Sequence, residues 1–202
     1  DGMADVPMEA LGGKTPLEVA KKPHIDEMAH KGVVGMVQTV AAGMYPGSDV
    51  ANLGVLGYDA TKCYTGRSPL EAISIGVEMK DDDVAYRCNL VTLSEDEPYA
   101  QKTMVDYSAG EISTEESTQL IAALQPLVKE YGLDLYPGIS YRHCLIWPKG
   151  QMQHFTAPHD IYGQVVGEYL PKEPMFLEIL QKSYEILKDH PVNQDRKARG
   201  LN

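Results

Sequence analysis

The sequence predicts an α/β fold, and three observations carry that expectation. Residues 33–40, Val-Val-Gly-Met-Val-Gln-Thr-Val, form a β-branched run that leads into a tight turn at Pro46-Gly47 and then a helical pattern from Ser48. Strand, turn and helix in succession are the building unit of α/β proteins. Two further β-rich runs, residues 84–93 and 140–147, are set among helical patterns, of which residues 113–128 are the clearest.

Composition sets the class. With 202 residues, 43% hydrophobic and 23% charged, the chain has the balance of an ordinary soluble domain and the length for a real core. A formal net charge of -11, without a basic stripe, argues against a nucleic-acid partner. The three cysteines, Cys63, Cys88 and Cys144, lack C-x-x-C or Cys/His spacing, which argues against a disulfide framework or a zinc finger and for the reducing cytoplasm. No apolar run has membrane-spanning length, and the N-terminus lacks the basic and apolar regions of a signal peptide, so no membrane partner is expected.

Taken in order, Asp1-Gly2 has the texture of a strand end turning into a loop. An Asp there lies where α/β sheets bind ligands and metals, or it is a functionless terminus. Thr15-Pro16-Leu17 signals a short helix, broken near Pro23, and a second helix follows over residues 25–31, stopped by Gly32. Residues 33–40 read as a buried strand. The turn at Pro46-Gly47 then places Ser48 and Asp49 at the start of a helix over about residues 49–56. Free backbone N–H groups and the helix dipole make that position suited to a phosphate, or to a serine nucleophile that becomes phosphorylated. The alternative is that Ser48 and Asp49 cap the helix. Ser68 reads as the N-cap of another helix.

From residue 77 the texture changes. Residues 84–93 read as one strand and residues 94–101 as a solvated acidic loop. Ser113 or Thr114 caps a helix with an apolar stripe of Leu120, Ile121, Leu124, Leu127 and Val128, in which Pro126 should produce a kink or a restart. Residues 133–136 and 140–147 form a strand pair, and Pro158-His159-Asp160 a loop. A long helix over residues 175–188 turns Leu177, Ile179, Leu180, Tyr184 and Leu187 inward. The tail 189–202 offers no element.

Together these motifs resemble a family. Asp1-Gly2-Met3-Ala4-Asp5, Gly13-Lys14-Thr15-Pro16-Leu17, Pro46-Gly47-Ser48-Asp49, Leu56-Gly57-Tyr58-Asp59 and Gly66-Arg67-Ser68-Pro69-Leu70-Glu71 are similar to stretches of the archaeal-type cofactor-independent phosphoglycerate mutases, members of the alkaline-phosphatase superfamily. Arg87-Cys88-Asn89, Asp106-Tyr107-Ser108-Ala109-Gly110, Tyr141-Arg142-His143, Pro158-His159-Asp160 and His190-Pro191-Val192-Asn193 continue the likeness along the whole chain.

The resemblance implies an alkaline-phosphatase-like metal-binding core with an inserted α/β substrate domain. Residues 1–77 would be the N-terminal part of the core, 78–188 the insertion, and 189–202 the return towards the core. It implies interconversion of 3-phosphoglycerate and 2-phosphoglycerate through a phosphoserine on Ser48, without 2,3-bisphosphoglycerate. Asp1 and Ser48 would be ligands of divalent metal (manganese, magnesium or zinc), with two ions in the complete protein. A cation bound to the hydroxyl lowers its pKa and neutralises phosphoryl charge. Arg87, Arg142 and His143, with His159 and Asp160, are the expected grips for the substrate's carboxylate and phosphate, because guanidinium forks suit those anions. In the family the remaining metal ligands lie beyond the position of Asn202, so the 202 residues alone are expected to be inactive. A homoserine kinase-like phosphotransferase and a non-catalytic binding module remain the alternative functions.

Overall fold

A computed structural model describes residues 5–201 and mixes helices with sheet, as expected. The chain divides into two compact units, Asp1–Tyr64 and Thr65–Asn202.

In the first unit, helix α1 (Pro16–Val19) opens on a reciprocal cap. The Thr15 hydroxyl accepts the Glu18 N–H at 3.2 Å, and the Glu18 carboxylate accepts the Thr15 N–H at 2.7 Å. Helix α2 (Pro23–Lys31) begins on a proline and carries the pairs Lys22–Asp26 and Glu27–Lys31 one turn apart. Residues 33–40 form no strand: Val33 and Met36 are fully exposed, and Val34 and Val37 about three-quarters exposed. Their β propensity is real, but a strand is held by the ladder of a neighbour, and among the described residues none pairs with this run. Helices α3 (Ser48–Val55) and α4 (Ala60–Cys63) follow, and bury Val50 and Ala60. Gly54 on α3 lies so close to the Thr39 carbonyl that a β-carbon there would collide with it.

The second unit runs α5 (Arg67–Ser74), β1 (Val84–Asn89), β2 (Thr92–Leu93), β3 (Met104–Asp106), α6 (Thr114–Glu130), β4 (Asp134–Tyr136), β5 (Arg142–Trp147), α7 (Pro174–Lys188) and α8 (Pro191–Ala198). Its main sheet has the order β1-β5-β4, all antiparallel, and β2 pairs separately with β3. The expected single strand over 84–93 is therefore two. Just past β1 the Leu90 N–H still donates in register to the Tyr141 carbonyl beside β5, and the chain then turns away to pair β2 with β3.

One face of the main sheet carries the larger core. Leu120, Ile121, Leu124, Leu127 and Val128 of α6 are all buried, against Leu135, Leu145 and the Phe176 and Ile179 side chains of α7. Ser113 caps α6 by accepting the Glu116 N–H, and the helix runs unbroken through Pro126. On α7 the inward anchors are Phe176 and Ile179, whereas Leu180 is 38% exposed. The opposite face packs Ala72 of α5 against Ala85, Cys144 and Ile146.

Two segments expected to be irregular are tied down. The acidic 94–101 loop wraps the Lys102 ammonium, which is fully buried and donates to the Asp96 carbonyl and the Glu97 carboxylate, each at 2.8 Å. The tail contains α8, whose Arg196 is buried. Among the described residues no helix is long and apolar enough to cross a membrane, and the three cysteines are free thiols.

Candidate functional site

In the first unit Ser48 is the first residue of α3, so the helix starts one residue earlier than expected. Its N-cap is Gly47, in extended conformation, which has no side chain to cap the helix. The capping alternative for Ser48 therefore does not hold, and among the described residues its hydroxyl makes no hydrogen bond. The hydroxyl stands at the first turn of a helix, where the dipole favours negative charge. Asp49 is held separately, accepting a hydrogen bond from the Tyr64 hydroxyl. A β-carbon on Gly47 would overlap the Asp49 carboxylate, so glycine is what lets that side chain fold back over the helix start. Asp1 lies outside the described residues. Among those described, no three His, Cys, Asp or Glu side chains come together to hold a metal ion. The described residues alone do not build the metal site that the resemblance implies.

In the second unit the candidate site is an open cleft of about 320 Å³, lined in part by Gly66, Ser68, Arg87, Asn89, His154 and His159. That volume suits a small molecule. The sheet explains how the polar groups converge. Side chains alternate between faces along a strand, and directly opposed residues share a face. Arg87 lies opposite Cys144 and Asn89 lies opposite Arg142. Arg87, Asn89 and Arg142 thus stand on the face that packs against α5.

Arg87 is tied down on several sides. Its backbone N–H donates to the Ser68 hydroxyl at 2.9 Å, which joins β1 to the first turn of α5. Its Nε donates to Oδ1 of Asn89 at 3.2 Å, and its Nη1 lies 3.5 Å from Oε1 of Glu71. Glu71 in turn pairs with Nε of Arg67 at 2.9 Å. Two guanidiniums therefore share one carboxylate, which leaves one positive charge over. Of the five donors on Arg87, the two that face Asn89 and Glu71 are committed and three remain for a ligand.

The other expected site residues divide. Arg142 shares the face of Arg87 but is not among the residues lining the cleft. Its guanidinium lies over the Tyr141 ring, 5.6 Å from the centroid, and it makes no ion pair among the described residues. His159 lines the cleft, packs edge-on against Tyr107 and sits 3.5 Å from the Asp160 carboxylate, with both side chains exposed. Asp160 belongs to a 3-10 turn, Pro158–Ile161, rather than to an open loop, and does not line the cleft.

His143 is a correction. Next to Arg142 on a strand it must point to the other face, and there it is buried, 3% exposed, on the side of the larger core. Its Nδ1 accepts the Gly138 N–H at 3.1 Å, which fixes the neutral tautomer with hydrogen on Nε2. Burial pushes its pKa down to about 4. A neutral imidazole on the opposite face cannot grip an anion in the cleft.

Ser68 is not the cap of α5, because Gly66 holds that position and the Ser68 hydroxyl serves β1 instead. Sequence reasoning does not single out Asn89, Glu71 and His154 as site residues. For Asn89 a signal exists, since two residues along a strand from Arg87 is the same face.

Known proteins share this arrangement of sequence and fold. The family model of the 2,3-bisphosphoglycerate-independent phosphoglycerate mutases matches residues 29–193. A Geobacter sulfurreducens protein named "Probable 2,3-bisphosphoglycerate-independent phosphoglycerate mutase" is 48% identical over 204 residues, covering 99% of this chain and 51% of that protein. The Methanosarcina barkeri 2,3-bisphosphoglycerate-independent phosphoglycerate mutase is 47% identical, covering 100% of this chain and 50% of its own length. The chain thus spans about half the length of the curated relatives it matches. Among solved structures, a Pyrococcus horikoshii protein superposes with a TM-score of 0.63 at 27% identity, over 99% of this chain and 46% of that one. The cofactor-independent phosphoglycerate mutase of Thermoplasma acidophilum gives a TM-score of 0.53 at 24% identity, over 99% and 53%. That likeness supports the fold alone.

Proposed function

Because the chain belongs to the 2,3-bisphosphoglycerate-independent phosphoglycerate mutase family, we propose that the whole protein interconverts 3-phosphoglycerate and 2-phosphoglycerate, with Ser48 as the phosphoryl acceptor. The observation that carries this reading is the Ser48 hydroxyl, uncommitted at the first turn of α3. In the proposed reaction Ser48 Oγ attacks phosphorus and gives up its proton while the bond from phosphorus to the glycerate oxygen breaks, and that oxygen takes up a proton and leaves as the glycerate hydroxyl. The other glycerate hydroxyl then attacks the phosphoserine and frees Ser48. A helix N-terminus favours the negative phosphoryl oxygens of such a transfer. Arg87, with Arg142 on the same sheet face, supplies the charge for the substrate's carboxylate or phosphate.

Dependence on divalent cations, with Asp1 and Ser48 as ligands, belongs to the same reading. A cytoplasmic location does too, with a phosphorylated small molecule as the partner. The test is a coupled assay of the protein expressed from its complete reading frame, with 3-phosphoglycerate and no 2,3-bisphosphoglycerate. Formation of 2-phosphoglycerate is expected, abolished by Ser48→Ala and by chelation and restored by added manganese. A loss of only a few-fold in Ser48→Ala would reject the phosphoserine. Full activity after chelation would reject the metal requirement.

A further inference from the structure

Resting on Arg87 as an anion-binding group of the proposed site, we infer that Glu71 is a positioning residue that holds the Arg87 guanidinium aimed into the cleft. Glu71 itself touches no ligand. Its effect passes entirely through Arg87.

The physical puzzle is one of sign. A carboxylate 3.5 Å from an anion-gripping guanidinium repels the incoming anion, so on charge alone the site would be better without it. Glu71 is also only about a quarter exposed, so solvent screens it incompletely. The arrangement makes sense if orientation outweighs charge. Arginine is long and rotamer-rich, and freezing it at the moment of binding costs affinity that a preorganised side chain does not lose. Glu71 and Asn89 take Nη1 and Nε respectively, which fixes the plane of the guanidinium. Arg67, one helical turn before Glu71, steadies the carboxylate. The Ser68 hydroxyl anchors the strand end of the same unit.

Charge and position are separated by two substitutions. Glu71→Asp keeps the charge and loses the reach, whereas Glu71→Gln loses the charge and keeps an acceptor oxygen at the same reach. The experiment is calorimetric titration of 3-phosphoglycerate, and of inorganic phosphate, into the protein expressed from its complete reading frame and these variants at low ionic strength. Circular dichroism serves as the check on folding. Positioning predicts that Glu71→Asp weakens binding by about tenfold, the scale of one charged hydrogen bond. It also predicts that Glu71→Gln stays within about threefold of the parent, because the Arg87 partner is retained. Unchanged binding in Glu71→Asp together with tighter binding in Glu71→Gln would overturn the inference, since that is the pattern of simple repulsion. Arg87→Ala tells the two failures apart. If the parent binds neither anion, or binds as well without Arg87, the site itself is wrong and the role of Glu71 falls with it. If Arg87→Ala abolishes binding and Glu71→Asp does not weaken it, only the positioning role is lost. Should Glu71→Asp not fold, Asn89→Ala removes the other tether, and an equal loss of affinity there is required.

Discussion

Arg196 donates from Nη1 to Oε2 of Glu116 at 2.7 Å, which ties the last helix to the first turn of α6. The guanidinium is 3% exposed, and its Nη2 also donates to the Ala109 carbonyl at 2.6 Å. Arg199 reaches the other oxygen of the same carboxylate from a position 47% exposed. The polar helix α8 is thus fastened by a buried cation in addition to Val192, which packs against the larger core.

Glu116→Ala removes the carboxylate from that buried cation, leaving it the Ala109 carbonyl, and is expected to cost about 3 kcal/mol, the scale for breaking a buried pair from one side. Arg199→Ala removes only the exposed contact and should cost under about 1 kcal/mol. Urea denaturation at pH 7 measures both. Equal losses would show that burial of Arg196 is not what makes the pair matter.

Acid should weaken the fold in two separate windows. The folded pKa of His143 is pushed down to about 4 from 6.5 by burial, so between those values the unfolded chain binds a proton that the native state refuses. Stability from this source is complete above pH 6.5 and lost as pH falls towards 4, by on the order of 3 kcal/mol. Glu116 is held down to about 2, chiefly by the hydrogen bond from Arg199 and then that from Arg196, against desolvation. Its contribution is present above pH 4.5 and lost as pH falls towards 2. His143→Gln should flatten the upper window and leave the lower one. A parent whose stability falls no more than that of His143→Gln between pH 6.5 and 4.5 would contradict the assignment.

Lys102 offers a contrast between carbonyls and carboxylates. Its buried ammonium donates to Asp96 O and to Glu97 Oε1, and it lies 4.4 Å from the centre of the Tyr184 ring. Glu97 itself is 67% exposed. Glu97→Gln should therefore cost less than about 1 kcal/mol, whereas Lys102→Met strands loop carbonyls and should cost about 2–3 kcal/mol. Thermal unfolding of the two variants decides. Comparable losses would make the ion pair, not the carbonyl cage, the main tie.

What is legible in the sequence and what is hidden follow from the range of each interaction. The stripe and cap of α6 are legible because Ser113 and Glu116, or Leu120 and Leu124, meet within one or two turns. The 33–40 run is legible as β-prone, but whether it forms a strand depends on a neighbour elsewhere in the chain. Ser68 looks like a cap because capping is local, yet its hydroxyl serves Arg87, nineteen residues on. The α8 helix has no apolar period to read, because its ties are mostly polar, with the buried Arg196 and the more exposed Arg199 both on Glu116. His143 is different: neighbours on a strand face opposite ways, and that rule alone separates it from Arg142. The places of Asn89 in the cleft and of Glu71 behind Arg87 depend on the register of β1 on β5 and on the packing of α5, both non-local.

Gly138 tests how the His143 side of the sheet is built. A β-carbon there would fall on the Arg142 carbonyl oxygen, which β5 holds in place, and the Gly138 N–H is the donor to His143 Nδ1. Gly138→Ala must push the 137–141 loop away from the strand, so it combines overpacking with a lost hydrogen bond and is expected to cost about 2–4 kcal/mol. Gly132→Ala is the reference. Gly132 has φ of +70° and no atom near the position of a β-carbon, so only backbone strain of about 1 kcal/mol is expected. Urea denaturation ranks the two. Displacing the loop also removes a donor that stabilises neutral His143 and lets water approach, so the histidine pKa should rise from about 4 towards its ordinary value. Titration of the His143 ring resonances reads that shift independently of stability. A larger loss in Gly132→Ala, or a His143 pKa that stays near 4 in Gly138→Ala, would mean the loop does not control the buried imidazole.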